Sequence, residues 1–99
     1  MATFQDIISQ DKPVLIDFYA NWCGPCKVVA PILEDVKAEL GEEVGIYKIN
    51  VDKHQAISQA YQVQSIPTLI LFRNGELRFR QSGVMSASAI KEMIATHGA

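Results

Sequence analysis

Hydrophobic and polar positions follow three rhythms along this chain. The run Val14 to Tyr19 is apolar on both parities except for Asp17, the pattern of a strand covered on both faces. Val29, Ile32, Leu33, Val36 and Leu40 then recur at helical spacing until Gly41 stops them, and Pro31 inside that stretch predicts a kink. Val44 to Val51 reads as a second buried strand. Asp52 to about Tyr61 reads as a short helix carrying Ala56, Ile57 and Ala60 inward. Thr68 to Phe72 is a third strand, Asn74-Gly75 a two-residue hairpin turn, and Glu76 to Gln81 the returning fourth. At the start, Thr3 and Asp6 form an N-cap and N3 pair for a helix over about residues 3–10, with Phe4, Ile7 and Ile8 on its apolar face. Asp11-Lys12-Pro13 breaks it. Ser86 caps a last helix whose inner face holds Ile90, Met93 and Ile94.

This order predicts an α/β fold with a central mixed four-stranded sheet flanked by four helices. The first two strands are parallel through a right-handed crossover, and the last two are an antiparallel hairpin. A chain of 99 residues makes a single domain, 1–99, with no linker or repeat to divide it. A hydrophobic share of 48% argues against disorder. The net charge of −2, without any basic run, gives no footprint for nucleic acid or an anionic membrane surface. The apolar runs fall far short of a membrane span. Met1 to Asp6 lacks the basic start and apolar core of a signal peptide, so a cytoplasmic location is expected. In such a reducing compartment an adjacent cysteine pair is more often catalytic or metal-binding than structural.

Both cysteines lie in Trp22-Cys23-Gly24-Pro25-Cys26-Lys27, where the first strand ends and the long helix begins. Two thiols three residues apart at a helix start share one face of its first turn and close a small disulfide ring with little movement elsewhere. The first thiol sits beside unpaired helical N–H groups at the positive end of the helix dipole, which favours its thiolate. A thiolate attacks a disulfide, and a second thiol within reach expels the product. Zinc is the competing use of this spacing, but it needs about four protein ligands. Only His54 and His97, isolated in the sequence, remain to supply the rest. A purely structural bridge is also weak, because so short a loop constrains the unfolded chain little.

Asp17 is a carboxylate inside an apolar strand, where desolvation raises its pKa. It is either a strand-end group reaching solvent or Lys48, or a buried proton acceptor beneath the cysteines, with Lys48 tuning it. Pro67, before the third strand, either merely starts that strand or carries a cis peptide bond that exposes main-chain groups beside the cysteines. Only about 5% of X-Pro bonds are cis, so spacing alone does not decide.

The chain resembles the thioredoxin family over nearly its whole length. The likeness runs through Val14 to Cys26 with its WCGPC stretch, Pro31, Lys48 to Asp52, Ile66-Pro67-Thr68, Phe72 to Glu76 and Gly83. It implies the thioredoxin fold, with Cys23 as nucleophile, Cys26 as resolving thiol, Asp17 as buried acid and Lys48 near it. It also implies that Pro67 is cis and that Ile66 offers backbone hydrogen bonds to an extended substrate segment. Trp22, Gly24, Pro25, Ile66, Pro67, Gly83 and Val84 would form an apolar docking surface around Cys23. The implied activity is protein-disulfide reduction, with disulfide-containing proteins as substrates and no bound cofactor. Electrons would come from NADPH through a thioredoxin reductase, although ferredoxin-linked reductases serve some relatives. Gly24-Pro25 favours a reductant over an oxidant or isomerase, which usually carries a histidine there to stabilise the thiolate. A redox-independent binding subunit of the same fold is the alternative from another class.

Four departures stand out. The family's usual first strand is missing, which leaves Val44 to Val51 as a sheet edge. The expectation is a monomer of reduced stability, with weak edge-to-edge pairing as its route to a dimer. Tyr19 replaces a common tryptophan, Gln62 a common glycine and Ser82 a common valine.

Overall fold

The computed structural model describes residues 2–99. Its elements run α1 (Phe4–Ile8), β1 (Val14–Tyr19), α2 (Gly24–Leu40), a 3-10 turn (Gly41–Glu43), β2 (Gly45–Asn50), α3 (Gln55–Ala60), β3 (Thr68–Arg73), β4 (Glu76–Ser82) and α4 (Ala87–His97). The four strands form one sheet in the order β2-β1-β3-β4. β1 and β2 are parallel, while β3 runs antiparallel to both β1 and β4. The expected mixed sheet and its four helices are present, and β2 is an edge.

Alternation along β1 assigns the two faces. Leu15, with Leu69 and Leu71 of β3, packs beneath α2 and α4 against Val29, Leu33, Val36, Ile90, Met93 and Ile94. Val14, Ile16 and Phe18, with Ile70 and Phe72, face the other way, where Phe4 and Ile7 of α1, Ile57 of α3 and Tyr61 cover them. A strand sandwiched in this way must be apolar on both parities, which is why β1 and β3 lack the polar alternation of a one-sided sheet.

The local signals explain most boundaries. Thr3 Oγ1 accepts from the Asp6 N–H at 3.1 Å while Asp6 Oδ2 accepts from the Thr3 N–H at 3.0 Å, a reciprocal cap that fixes the start of α1. Asn74 (φ 53) and Gly75 (φ 80) both take left-handed backbone, as the tight β3–β4 turn demands. The long helix continues through Pro31 to Leu40.

Three expectations fail. β2, read as a buried strand, is mostly half-buried with Lys48 exposed, because it lies at the sheet edge with no strand beyond it. α1 ends at Ile8 rather than near residue 10. α3 begins at Gln55, not Asp52, because Asn50 Oδ1 accepts from the Asp52 and Lys53 N–H groups at 2.9 and 3.3 Å and holds a turn there. Its inner face differs accordingly: Ser58 is buried and donates to the His54 carbonyl at 3.0 Å, whereas Ala56 and Ala60 are exposed.

Candidate redox site

The carboxyl end of β1 delivers the chain into a short turn, and α2 starts at once. Cys23 is the N-cap of α2, and Pro25 lies in its first turn, where a missing N–H costs nothing. Cys23 and Cys26 are joined as a disulfide, their Cα atoms 5.3 Å apart. The Cys26 N–H donates to Cys23 Sγ at 3.2 Å. In the reduced protein, a donor so placed, added to the helix dipole, favours negative charge on Cys23 over Cys26. Both cysteines are almost wholly covered and pack with Ala20 against Tyr19, Val51 and Ile66.

Asp17 shares the parity of Leu15 and so points to the side of the sheet that α2 covers. It is fully buried, and neither carboxyl oxygen has a hydrogen-bond partner among the described residues. Burial pushes its pKa from 3.8 up to about 6, with the Lys48 charge pulling the other way. Lys48 is its register neighbour on β2, yet the two form no ion pair. Instead Lys48 Nζ lies 4.5 Å from the centre of the Tyr19 ring, a cation–π arrangement at the exposed sheet edge. Of the two readings of Asp17, the solvent-reaching one therefore does not describe this chain.

The opposite wall comes from the start of β3. The Ile66–Pro67 peptide bond is cis, Pro67 is buried, and Ile66 touches the cysteine cluster. Gly83 follows β4 at φ 93, and its N–H donates to the Pro67 carbonyl at 2.8 Å. Gly24, Pro25, Gly83 and Val84 are exposed, and Trp22 is 71% exposed, so apolar surface stands in water around the disulfide. Trp22 is held rather than loose: its Nε1 donates to Asp52 Oδ2 at 2.9 Å. Asp52 was not singled out by its sequence context, because its partner lies on another element.

His54 and His97 are both exposed, and no cluster of three or more metal-ligating side chains occurs among the described residues. No helix among them is long and apolar enough to cross a membrane.

Comparison with known proteins agrees with this geometry. The family pattern described as Thioredoxin matches residues 1–96. The chain is 45% identical over 94 residues to the thioredoxin-like protein slr0233 of Synechocystis sp., covering 94% of this chain and 90% of that one. It is 44% identical over 87 residues to the bifunctional thioredoxin reductase/thioredoxin of Mycobacterium leprae, covering 88% of this chain but 19% of that protein. The crystal structure of Malassezia sympodialis thioredoxin superposes with a TM-score of 0.86 at 36% identity, over 97% of this chain and 84% of the other.

Proposed function

Because the chain belongs to the thioredoxin family and is a thiol–disulfide oxidoreductase with protein-disulfide reductase activity, we propose the following division of labour within its site. Cys23 thiolate attacks one sulfur of a target disulfide, and the other target sulfur leaves as a thiolate. The new bond is a mixed disulfide between Cys23 and the target. Cys26 then loses its proton and attacks Cys23 Sγ. The second target sulfur departs, and the Cys23–Cys26 bond closes. Two electrons pass from the dithiol to the target, and no bound cofactor takes part.

The helix-start position and the Cys26 N–H support Cys23 as the attacking thiolate. Asp17 is assigned as acceptor of the Cys26 proton. With a pKa near 6 it is mostly ionised at neutral pH, yet close enough to that pH to hold a proton briefly. Lys48 tunes it through space. The exposed surface of Trp22, Gly24, Pro25, Ile66, Pro67, Gly83 and Val84 is assigned as the place where the target's main chain lies down beside Ile66.

The disulfide must be reduced again after each turn. A thioredoxin reductase fed by NADPH is the proposed donor, a pairing supported by the Mycobacterium leprae relative whose name joins both functions. The proposed setting is the cytoplasm, with a role in electron transport and redox homeostasis. The working form is a monomer: exposed Lys48, central on the β2 edge, disfavours strand pairing and leaves at most a weak dimer.

The observation that carries this reading is the disulfide-forming pair at the start of α2, with an unpartnered buried carboxyl group on the strand that leads into it. Its test is insulin-disulfide reduction with dithiothreitol as electron source. Wild type should accelerate the reaction and Cys23→Ser should not. A folded wild type without effect would contradict the reading.

A further inference from the structure

The segment between α3 and β3 carries Ile66, and its carbonyls are gripped by the neighbouring strands. α3 ends at Ala60, and the chain reverses through Tyr61 and Gln62, the latter held at φ 52 without being a glycine. Arg80, opposite Ile70 in the β3–β4 register, reaches this reversal. Its Nη1 donates to the Tyr61 carbonyl and its Nη2 donates to the Gln62 carbonyl at 2.8 Å. Ser82, on the same strand face as Arg80, lies 2.9 Å from Thr68 Oγ1, whose own proton goes to the Ser65 carbonyl at 2.6 Å. Ser82 is therefore the donor in that pair. Gly83 closes the series with its N–H on the Pro67 carbonyl.

The carbonyls of residues 61, 62, 65 and 67 are thus all occupied. By contrast, the N–H and C=O of Ile66 have no partner among the described residues. Arg80 joins none of the ion pairs there, so two neighbouring carbonyls, rather than an acid, account for where its guanidinium sits. A planar guanidinium presents two N–H groups in a rigid fork and so fixes the relative position of two adjacent acceptors, whereas a lysine ammonium can reach two carbonyls only from one rotatable point.

We propose that Arg80 is a positioning residue for capture of protein disulfides: by clamping the exit of α3 it sets where the free backbone of Ile66 meets the main chain of an extended target. The inference rests on the docking role assigned to Ile66 above. It concerns binding of the target's chain and leaves the sulfur chemistry alone. Small disulfides, which have no main chain to dock, should not sense Arg80.

The test mixes reduced wild type, Arg80→Ala and Arg80→Lys with two oxidants, insulin and the small aromatic disulfide 5,5′-dithiobis(2-nitrobenzoate), following Trp22 fluorescence in single turnovers. Arg80→Ala should lower the second-order rate with insulin about tenfold, chiefly by raising the half-saturating concentration, and change the small-disulfide rate by less than about twofold. Arg80→Lys keeps the charge without the fork and should fall between wild type and Arg80→Ala. It also carries the test if the alanine variant does not fold. Equal rates with insulin across the three proteins, or the same proportional loss on both oxidants, would overturn the proposal. A wild type inert towards the small disulfide would overturn the dithiol reading itself. One that reduces the small disulfide but not insulin would overturn the docking reading, so the failures are separable.

Discussion

Replacing Asp17 by asparagine keeps the shape of the side chain and removes its charge. In the folded oxidised protein the carboxyl group is fully buried, with both oxygens unpartnered, and its pKa rises from 3.8 to about 6. At about 1.4 kcal/mol per pH unit, that rise corresponds to roughly 3 kcal/mol between protonated and ionised forms. The sign follows from proton counting. Below 3.8 folded and unfolded chains both hold the proton, and no stability is lost. Between 3.8 and about 6 the folded chain keeps a proton that the unfolded chain has released, so stability falls as pH rises. Above about 6 the loss is complete, and the wild type carries it at neutral pH. Asparagine cannot titrate, so its amide adds only an offset that is independent of pH. The assay is urea unfolding of the two oxidised proteins, followed by Trp22 fluorescence, at about pH 4 and about pH 7.5. Wild type should lose roughly 2.5 kcal/mol relative to Asp17→Asn between these conditions, the first few tenths being already lost at about pH 4, which moves the gap between midpoints by about 1–2.5 M urea. A gap that stays constant with pH would refute the assignment of a buried, desolvated carboxyl to Asp17.

Two further substitutions probe the surroundings. Lys48→Gln removes the charge that holds Asp17 down, so the Asp17 titration followed by carbon NMR should move above about 6; an unchanged or lower midpoint would show that Lys48 does not reach it. Gln62→Gly relieves left-handed backbone at φ 52 and should stabilise the protein by about 0.5–1 kcal/mol in urea, whereas a loss would mean that the glutamine side chain contributes something the backbone does not explain.

Much of this architecture was legible because its causes are local. β1 and β3 announce themselves by being apolar on both parities, which only a strand covered by helices on both sides tolerates. Thr3 with Asp6, and Asn74 with Gly75, carry their cap and turn in their own side chains and backbone preferences. The cysteine pair was legible for the same reason, since its spacing alone places both thiols on one helical turn. α3 was misjudged because its boundary is set by the Asn50 side chain, which ties up two N–H groups before the helix starts. Over so short a helix, that shift changes which residues face inward. Asp52 and Arg80 were invisible as functional positions for another reason. Their partners, the Trp22 indole and the Tyr61 and Gln62 carbonyls, lie on other elements, and a carbonyl has no sequence signature. A basic residue on a strand near the sheet edge reads as a solvated charge until the fold brings a helix end beneath it.

The central claim is that Cys23 attacks and Cys26 resolves. Its most direct test is to mix reduced Cys26→Ser and reduced Cys23→Ser separately with insulin and to analyse the products by non-reducing mass spectrometry. Cys26→Ser should accumulate a mixed disulfide mapped to Cys23, because nothing remains to release it, while Cys23→Ser should form little. Equal trapping by the two variants, or adducts only on Cys26, would contradict the account.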